Sequence, residues 1–185
     1  MGIDTILGIL GTLLGVVGLI TGYIFYRKSL KVKSPLFLIK SNNLIQDNIT
    51  SISGLGVTYK GIKVQNLTVT RILFWNDGSD TIDNNDLVIA NPLRIVGKED
   101  CTILSVNVLE SNNPSSKFSA RLNKKENCVT IDFDYLDRNQ GAVVQVFHSG
   151  KNSTGISIVG DIKGAKIQSY KRNGFANRLL GGLAM

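Results

Sequence analysis

The sequence predicts a mainly β protein, in which one N-terminal transmembrane α-helix is followed by an antiparallel β-sandwich; a β-barrel is the alternative. Three observations carry this. No charged side chain occurs from Ile6 to Phe25, a run that spans about 30 Å as a helix and so matches a bilayer's hydrocarbon core. Beyond Pro35, helical periodicity is replaced by short alternating runs rich in Val, Ile, Thr and Phe, cut by Gly, Asn and Asp. No alternation of strands with helical segments breaks that series.

The helix, residues 1–28, carries glycines at Gly8, Gly11, Gly15, Gly18 and Gly22. In lipid no water competes for the backbone, so a glycine-rich helix holds. Glycine there permits close approach, and Gly11/Gly15 and Gly18/Gly22 form small-xxx-small pairs. The stripe repeats as a coiled-coil seam does, while Ile9, Leu13, Val16 and Ile20 fall on other faces. The expectation is helix–helix association through the glycine face, hence a homo-oligomer. Thr12 and Thr21 lie within the span and can bond their own backbone. A cleaved signal peptide would need a basic start, a shorter apolar run and a small-x-small site. The start carries Asp4 instead. Tyr23 and Tyr26 sit at the end that meets Arg27, Lys28, Lys31 and Lys33. These cations predict contact with lipid headgroups. By the positive-inside rule they put the N-terminus outside and the β domain in the cytoplasm.

Residues 29–35 form a basic juxtamembrane linker that Pro35 closes. The β domain is assigned to 36–170 and a basic, partly apolar tail to 171–185. The chain has 185 residues, 43% hydrophobic and 19% charged, and a net charge of +7, which excludes global disorder and leaves one ordinary domain beside the span. Cys101 and Cys128 both lie in strand-like stretches, so one bridge is geometrically open. Two free, part-buried thiols fit the reducing compartment and are the preferred reading.

The strands read in order. PLFLIK comes first. GVTYKGIKV is a tight hairpin around Lys60-Gly61. LTVTRILFW is the longest, apolar on both faces near its end, as a central strand is. DLVIANPLRIV, CTILSVNVLE and KFSARL follow, the last pointing Phe118, Ala120 and Leu122 inward. VTIDFDYL alternates Val129, Ile131, Phe133 and Tyr135 against Thr130, Asp132 and Asp134. AVVQVF, TGISIVGDI and GAKIQSY complete the set.

Two stretches carry a resemblance. RILFWNDGSDTI has a strand followed by an Asn-x-Gly turn, and FDYLDRNQGAVVQVFHSG places Leu136, a turn, Gly141 and a strand from Ala142. Both resemble turn elements of immunoglobulin-like bacterial sandwiches, and with the anchor the chain is similar to small bacterial single-pass membrane proteins bearing such a domain. The resemblance implies an immunoglobulin-like sandwich, no catalytic residue and, with the charge flank, a place at a bacterial inner (cytoplasmic) membrane.

Candidate chemistry is sparse. His148, the one histidine, reads as a strand-end surface residue. Asp77, Asp80, Asp83 and Asp86 offer oxygen ligands for calcium, but Gly78 is misplaced for an EF-hand loop, and Asp and Asn are default turn residues; no metal is expected. Asp132 and Asp134 read as a solvated strand face, with Asp137 in the next turn. No phosphate-loop, dinucleotide-loop or G-x-S-x-G pattern is present, so no cofactor and no enzyme activity are expected. Lys163, Lys166, Lys171, Arg172 and Arg178 make a basic C-terminal quarter with thin aromatic interleaving, Tyr170 and Phe175. Because the domain is tethered, lipid headgroups are a cheaper partner than nucleic acid, which is read as unlikely, and a plain solubilising surface is the equal alternative. Phe175, Leu179 and Leu183 share a helical spacing. Glycosylation triplets at Asn48, Asn66 and Asn152 are taken as chance. The expected function is a non-enzymatic membrane-anchored sensor or scaffold that presents its β domain to an unidentified protein or small-ligand partner. An oligomeric membrane-permeabilising effector of the bacterial-defence type is the alternative.

Overall fold

The computed structural model describes residues 2–45, 56–98 and 100–170. The chain divides into two compact units, Met1–Val32 and Lys33–Met185.

The first unit is helix α1, Ile3–Ser29. Asp4 lies in its first turn and Arg27 and Lys28 in its last, each complementing the helix dipole. Thr12 Oγ1 donates to the Gly8 carbonyl at 2.9 Å and Thr21 Oγ1 to that of Val17 at 2.9 Å, so both hydroxyls are satisfied within the helix, as expected. With a mean hydropathy of 2.2 over its most apolar window, α1 is long and apolar enough to cross a membrane.

The second unit holds the strands β1 (Pro35–Ile45), β2 (Thr58–Tyr59), β3 (Ile62–Lys63), β4 (Leu67–Asn76), β5 (Ile82–Asp83), β6 (Arg94–Gly97), β7 (Ile103–Ser111), β8 (Ser119–Asn123), β9 (Cys128–Asp132), β10 (Tyr135–Leu136), β11 (Gly141–His148), β12 (Ile156–Val159) and β13 (Gln168–Ser169). A five-stranded sheet runs β13-β1-β4-β11-β7 and a four-stranded one β12-β6-β9-β8. The fold is the expected sandwich and not a closed barrel. Its pairings are antiparallel except β1 with β13, which is parallel.

The core lies between the two sheets. Ile72, Phe74, Val144 and Val146 from one side meet Ile95, Val129, Ile131 and Ile156 from the other. Phe133 packs its ring on both Phe74 (6.3 Å between centroids) and Phe118 (5.9 Å). β4 is central, between β1 and β11, as its doubly apolar end predicts. Phe118, Ala120 and Leu122 pack inward as read. The hairpin turns at Lys60 (φ 48°) and Gly61 (φ 81°), the two positive values that a type I′ connection needs. Tyr59 then stacks on Phe147 at 5.3 Å and shares a 2.6 Å hydrogen bond with Ser105, so the hairpin lies on the outer face of the larger sheet.

Three readings need correction. DLVIANPLRIV is not one strand: Asn84–Asp86 is a 3-10 turn, boxed by Asp83 and Asp86, and strand resumes at Arg94. VTIDFDYL breaks after Asp132, which brings Leu136 into the core and leaves Tyr135 half-buried. Asp132 and Asp134 therefore do not share a strand face. Cys101 precedes its strand and does not lie in it. Gly141 opens β11, and a Cβ there would sit 2.1 Å from the Phe74 carbonyl oxygen and 2.7 Å from Trp75 Cα. It is glycine because the neighbouring strand passes too close for a side chain.

Candidate functional site

α1 offers the most regular feature. A Cβ built on Gly8, Gly11, Gly15, Gly18 or Gly22 would meet nothing within 4 Å. The glycine face is open along its length, and no part of the sandwich core is drawn from it.

Beyond α1, the linker is tied into the sandwich sooner than the sequence reading placed it. Lys33 Nζ lies 2.6 Å from Asp86 Oδ2, with both side chains largely buried. Asp86 is held below the ordinary carboxylate range: desolvation pushes its pKa up, but hydrogen bonds from Lys33 and the Asp83 backbone, with the Lys33 and Lys163 charges, more than offset it. Lys33 is thus committed to the domain, while Arg27, Lys28 and Lys31 are exposed. Asn76, fully buried, explains the Asn-x-Gly turn. Its Nδ2 donates to the carbonyls of Asp80 (2.7 Å) and Leu136 (2.9 Å), and its Oδ1 accepts from the amides of Gly78 (3.0 Å) and Ser34 (3.2 Å). One side chain joins the linker to both stretches that carry the resemblance.

The distal end, where β1 and β11 finish, holds a buried polar chain. His148 is not at the surface, as the sequence reading had it; it is 0% exposed. Its Nδ1 accepts from the Gly150 amide at 3.1 Å. That donor assigns the proton to Nε2, which donates to Thr70 Oγ1 at 2.7 Å. Thr70 in turn shares a 2.6 Å bond with Ser41. Cys101 Sγ stands 3.2 Å from the same Nδ1. Burial drives the His148 pKa down to about 4, and it drives that of the Cys101 thiol up. Both groups are therefore neutral at neutral pH. A nucleophilic pair needs a thiolate beside an imidazolium or a free base; here the imidazole nitrogen already faces two donors and the thiol is 2% exposed. In this arrangement the His148 and Cys101 side chains serve the packing of the distal end. Asn127, at φ 51°, fixes the Cys101 loop by donating to the Gly97 and Cys101 carbonyls (3.3 and 2.7 Å) and accepting from the Ile103 amide (2.8 Å).

Two open grooves flank the sandwich. One, of about 790 Å³, lies over Cys101 at the distal end and is edged by Lys98, Asp100, Ser149 and Thr154. The other, of about 890 Å³, runs between the 84–92 loop and the outer face of β8 and β9. Its apolar lip includes Ile89, 96% exposed. Its floor carries Thr130, with Arg121 and Arg94 in register on either side.

The remaining predicted residues serve turns and pairs. Asp132 accepts from Asn84 at 2.8 Å, Asp134 pairs with Lys117 at 2.6 Å, and Asp137 accepts from Thr81 at 2.5 Å. Asp77, Asp80, Asp83 and Asp86 do not converge: among the described residues no group of three or more His, Cys, Asp or Glu could hold a metal ion. Cys101 and Cys128 are free and buried. Lys163 is tied to the Asn85 carbonyl at 2.6 Å and Lys166 is exposed. Lys171, Arg172, Phe175, Arg178, Leu179, Leu183 and Asn48 lie outside the described residues. The polar chain escaped the sequence reading, although its signal was present: Thr68, Thr70 and Asn76 share the strand face of Ile72 and Phe74, and His148 shares that of Val144 and Val146. No protein-family model matches the chain, and no curated protein matches it.

Proposed function

We propose that this is a single-pass membrane protein that self-associates through the glycine face of α1 and presents its sandwich, as a binding or scaffold module, to a partner in the cytoplasm. The observation that carries the reading is the open face itself: five glycines in regular phase on an apolar helix, with nothing within 4 Å of any added Cβ. A helix that contributes nothing to the sandwich core and keeps one face small has its use in contact with another helix in lipid. Oligomer formation would multiply the β domains at the membrane, so that weak individual contacts act together. The side groove of about 890 Å³, with Arg121 on its floor and Ile89 on its lip, is the place where an acidic and apolar partner segment fits best.

The test is the oligomeric state of the full chain in nanodiscs, beside Gly15→Leu and Gly18→Leu. The expected result is assembly for the parent chain and loss of most of it in both variants. Equal assembly of all three would refute the role of the stripe and turn attention to the sandwich surface.

A further inference from the structure

The outer face of the five-stranded sheet has two unlike halves. The distal half is covered by the β2–β3 hairpin, through Tyr59 on Phe147. The proximal half presents an apolar patch. Leu36 faces Trp75, and Leu38 faces Leu73, which faces Val143; all five side chains are left part-exposed. Tyr170 closes the patch, its ring edge-on to Trp75 at 5.5 Å. The row just beyond it is cationic: Lys40 stands directly opposite Arg71, and both are exposed.

That row is the informative part. Like charges opposite one another across two strands repel. Both ion pairs among the described residues lie elsewhere, at Lys33–Asp86 and Lys117–Asp134. Gln145 and Asn107 continue the row without a carboxylate, and Glu110 borders the patch beside Val143. Among the described residues Lys40 and Arg71 have no ion-pair partner, and they sit against a surface of Leu, Val, Trp and Tyr that Glu110 borders at its far side. Trp and Tyr favour the boundary between headgroups and acyl chains, and Lys and Arg beside them favour anionic headgroups. β1, which supplies Leu36, Leu38 and Lys40, is also the first strand after α1.

We infer that this half of the sheet rests on an anionic lipid surface, with Trp75 and Tyr170 at the interfacial depth and Lys40 and Arg71 against phosphate. The inference rests on reading α1 as a membrane span. It adds a second contact that would orient the sandwich and leave the opposite sheet, with its groove, turned to the cytoplasm.

Trp75 is the chain's one tryptophan and lies in the patch, so its own emission is the probe. The full chain is reconstituted in phosphatidylcholine–phosphatidylglycerol vesicles carrying a nitroxide on a shallow acyl position. The expected result is loss of most Trp75 emission, with recovery in a Lys40→Glu/Arg71→Glu variant and in phosphatidylcholine alone. A Leu14→Trp chain on a Trp75→Phe background reports the span separately, with a deep nitroxide. Quenching at position 14 with none at Trp75 overturns the inference and leaves the span standing. No quenching at position 14 overturns both. Trp75 untouched by nitroxide but shielded from aqueous acrylamide, increasingly so with protein concentration, assigns the face to a second copy and also overturns the inference.

Discussion

Acid should unfold this protein through one imidazole. His148 is fully buried, and desolvation takes its pKa from 6.5 to about 4. A base whose pKa is lower in the folded state contributes stability that is fully present above the unfolded value and is lost as pH falls through that range. The unfolded chain begins to take up the proton near the ordinary histidine value, whereas the folded chain resists until about pH 4. Between neutrality and about pH 5 the difference in proton uptake is worth about 2 kcal/mol, rising to about 3 kcal/mol at the folded pKa. Either figure is a large share of the margin of an ordinary domain. Asp86 does not interfere in that window, because its pKa is lowered below 3.8 and its contribution is lost only in stronger acid. The assay is urea unfolding of the full chain in detergent micelles, from about pH 7 to about pH 5, for the parent and His148→Gln. The variant starts less stable, since it disrupts bonds to Thr70 and Gly150, but its stability stays nearly level across the window. If both chains lose stability in parallel, the buried imidazole does not control the acid response and the reasoning fails.

Two further outcomes follow from the packing. Gly141→Ala places a Cβ against the Phe74 carbonyl and the Trp75 backbone; neither can retreat without breaking the β4–β11 ladder, so the unfolding midpoint should fall by an amount equivalent to about 2 kcal/mol or more. Cys101 and Cys128, each 2% exposed, have thiol pKa values raised by burial, and for Cys128 by Glu126 as well. Ellman's reagent at about pH 8 should leave both unmodified in the folded chain and titrate both in urea, and stability should decline as pH rises through the thiol range.

How much of this was legible in the sequence depends on the range of the forces involved. The apolar run of α1 and the alternation in β4, β8 and β11 are local signals, because burial of one face imposes a period on consecutive residues. They were readable without neighbours. The Lys60-Gly61 turn was readable for the same reason, since its two positive φ values are set by the turn alone. The errors fell where a distant strand decides. Nothing near His148 in sequence says that Thr70 and Cys101 lie beside it, and a histidine ending a strand is ordinarily solvated; only the pairing of β4 with β11, His148 opposite Thr68, brings the ring against the buried threonines. Gly141 follows turn residues in the chain, but nothing near it in sequence shows why it is glycine; the cause is the backbone of Phe74 and Trp75 on the neighbouring strand.

The open glycine face and the Lys40–Arg71 row belong to a third kind of case. Each is plain in the single chain as a departure from what a solitary soluble fold needs: small residues with nothing drawn close, and like charges set opposite each other with no ion-pair partner among the described residues. A departure of this sort costs stability or helix propensity in water, so it persists where some other phase or copy supplies the missing contact. Among the described residues no second helix meets the glycines and no carboxylate pairs with the cationic row, and under the proposed function a bilayer holding several copies of the chain would supply both contacts. The two features belong to separate units, yet the same surroundings would complete each. The proposed helix contact and the proposed lipid contact of the sheet therefore stand or fall on one physical premise, that α1 spans a bilayer, and the quenching of position 14 tests that premise for both.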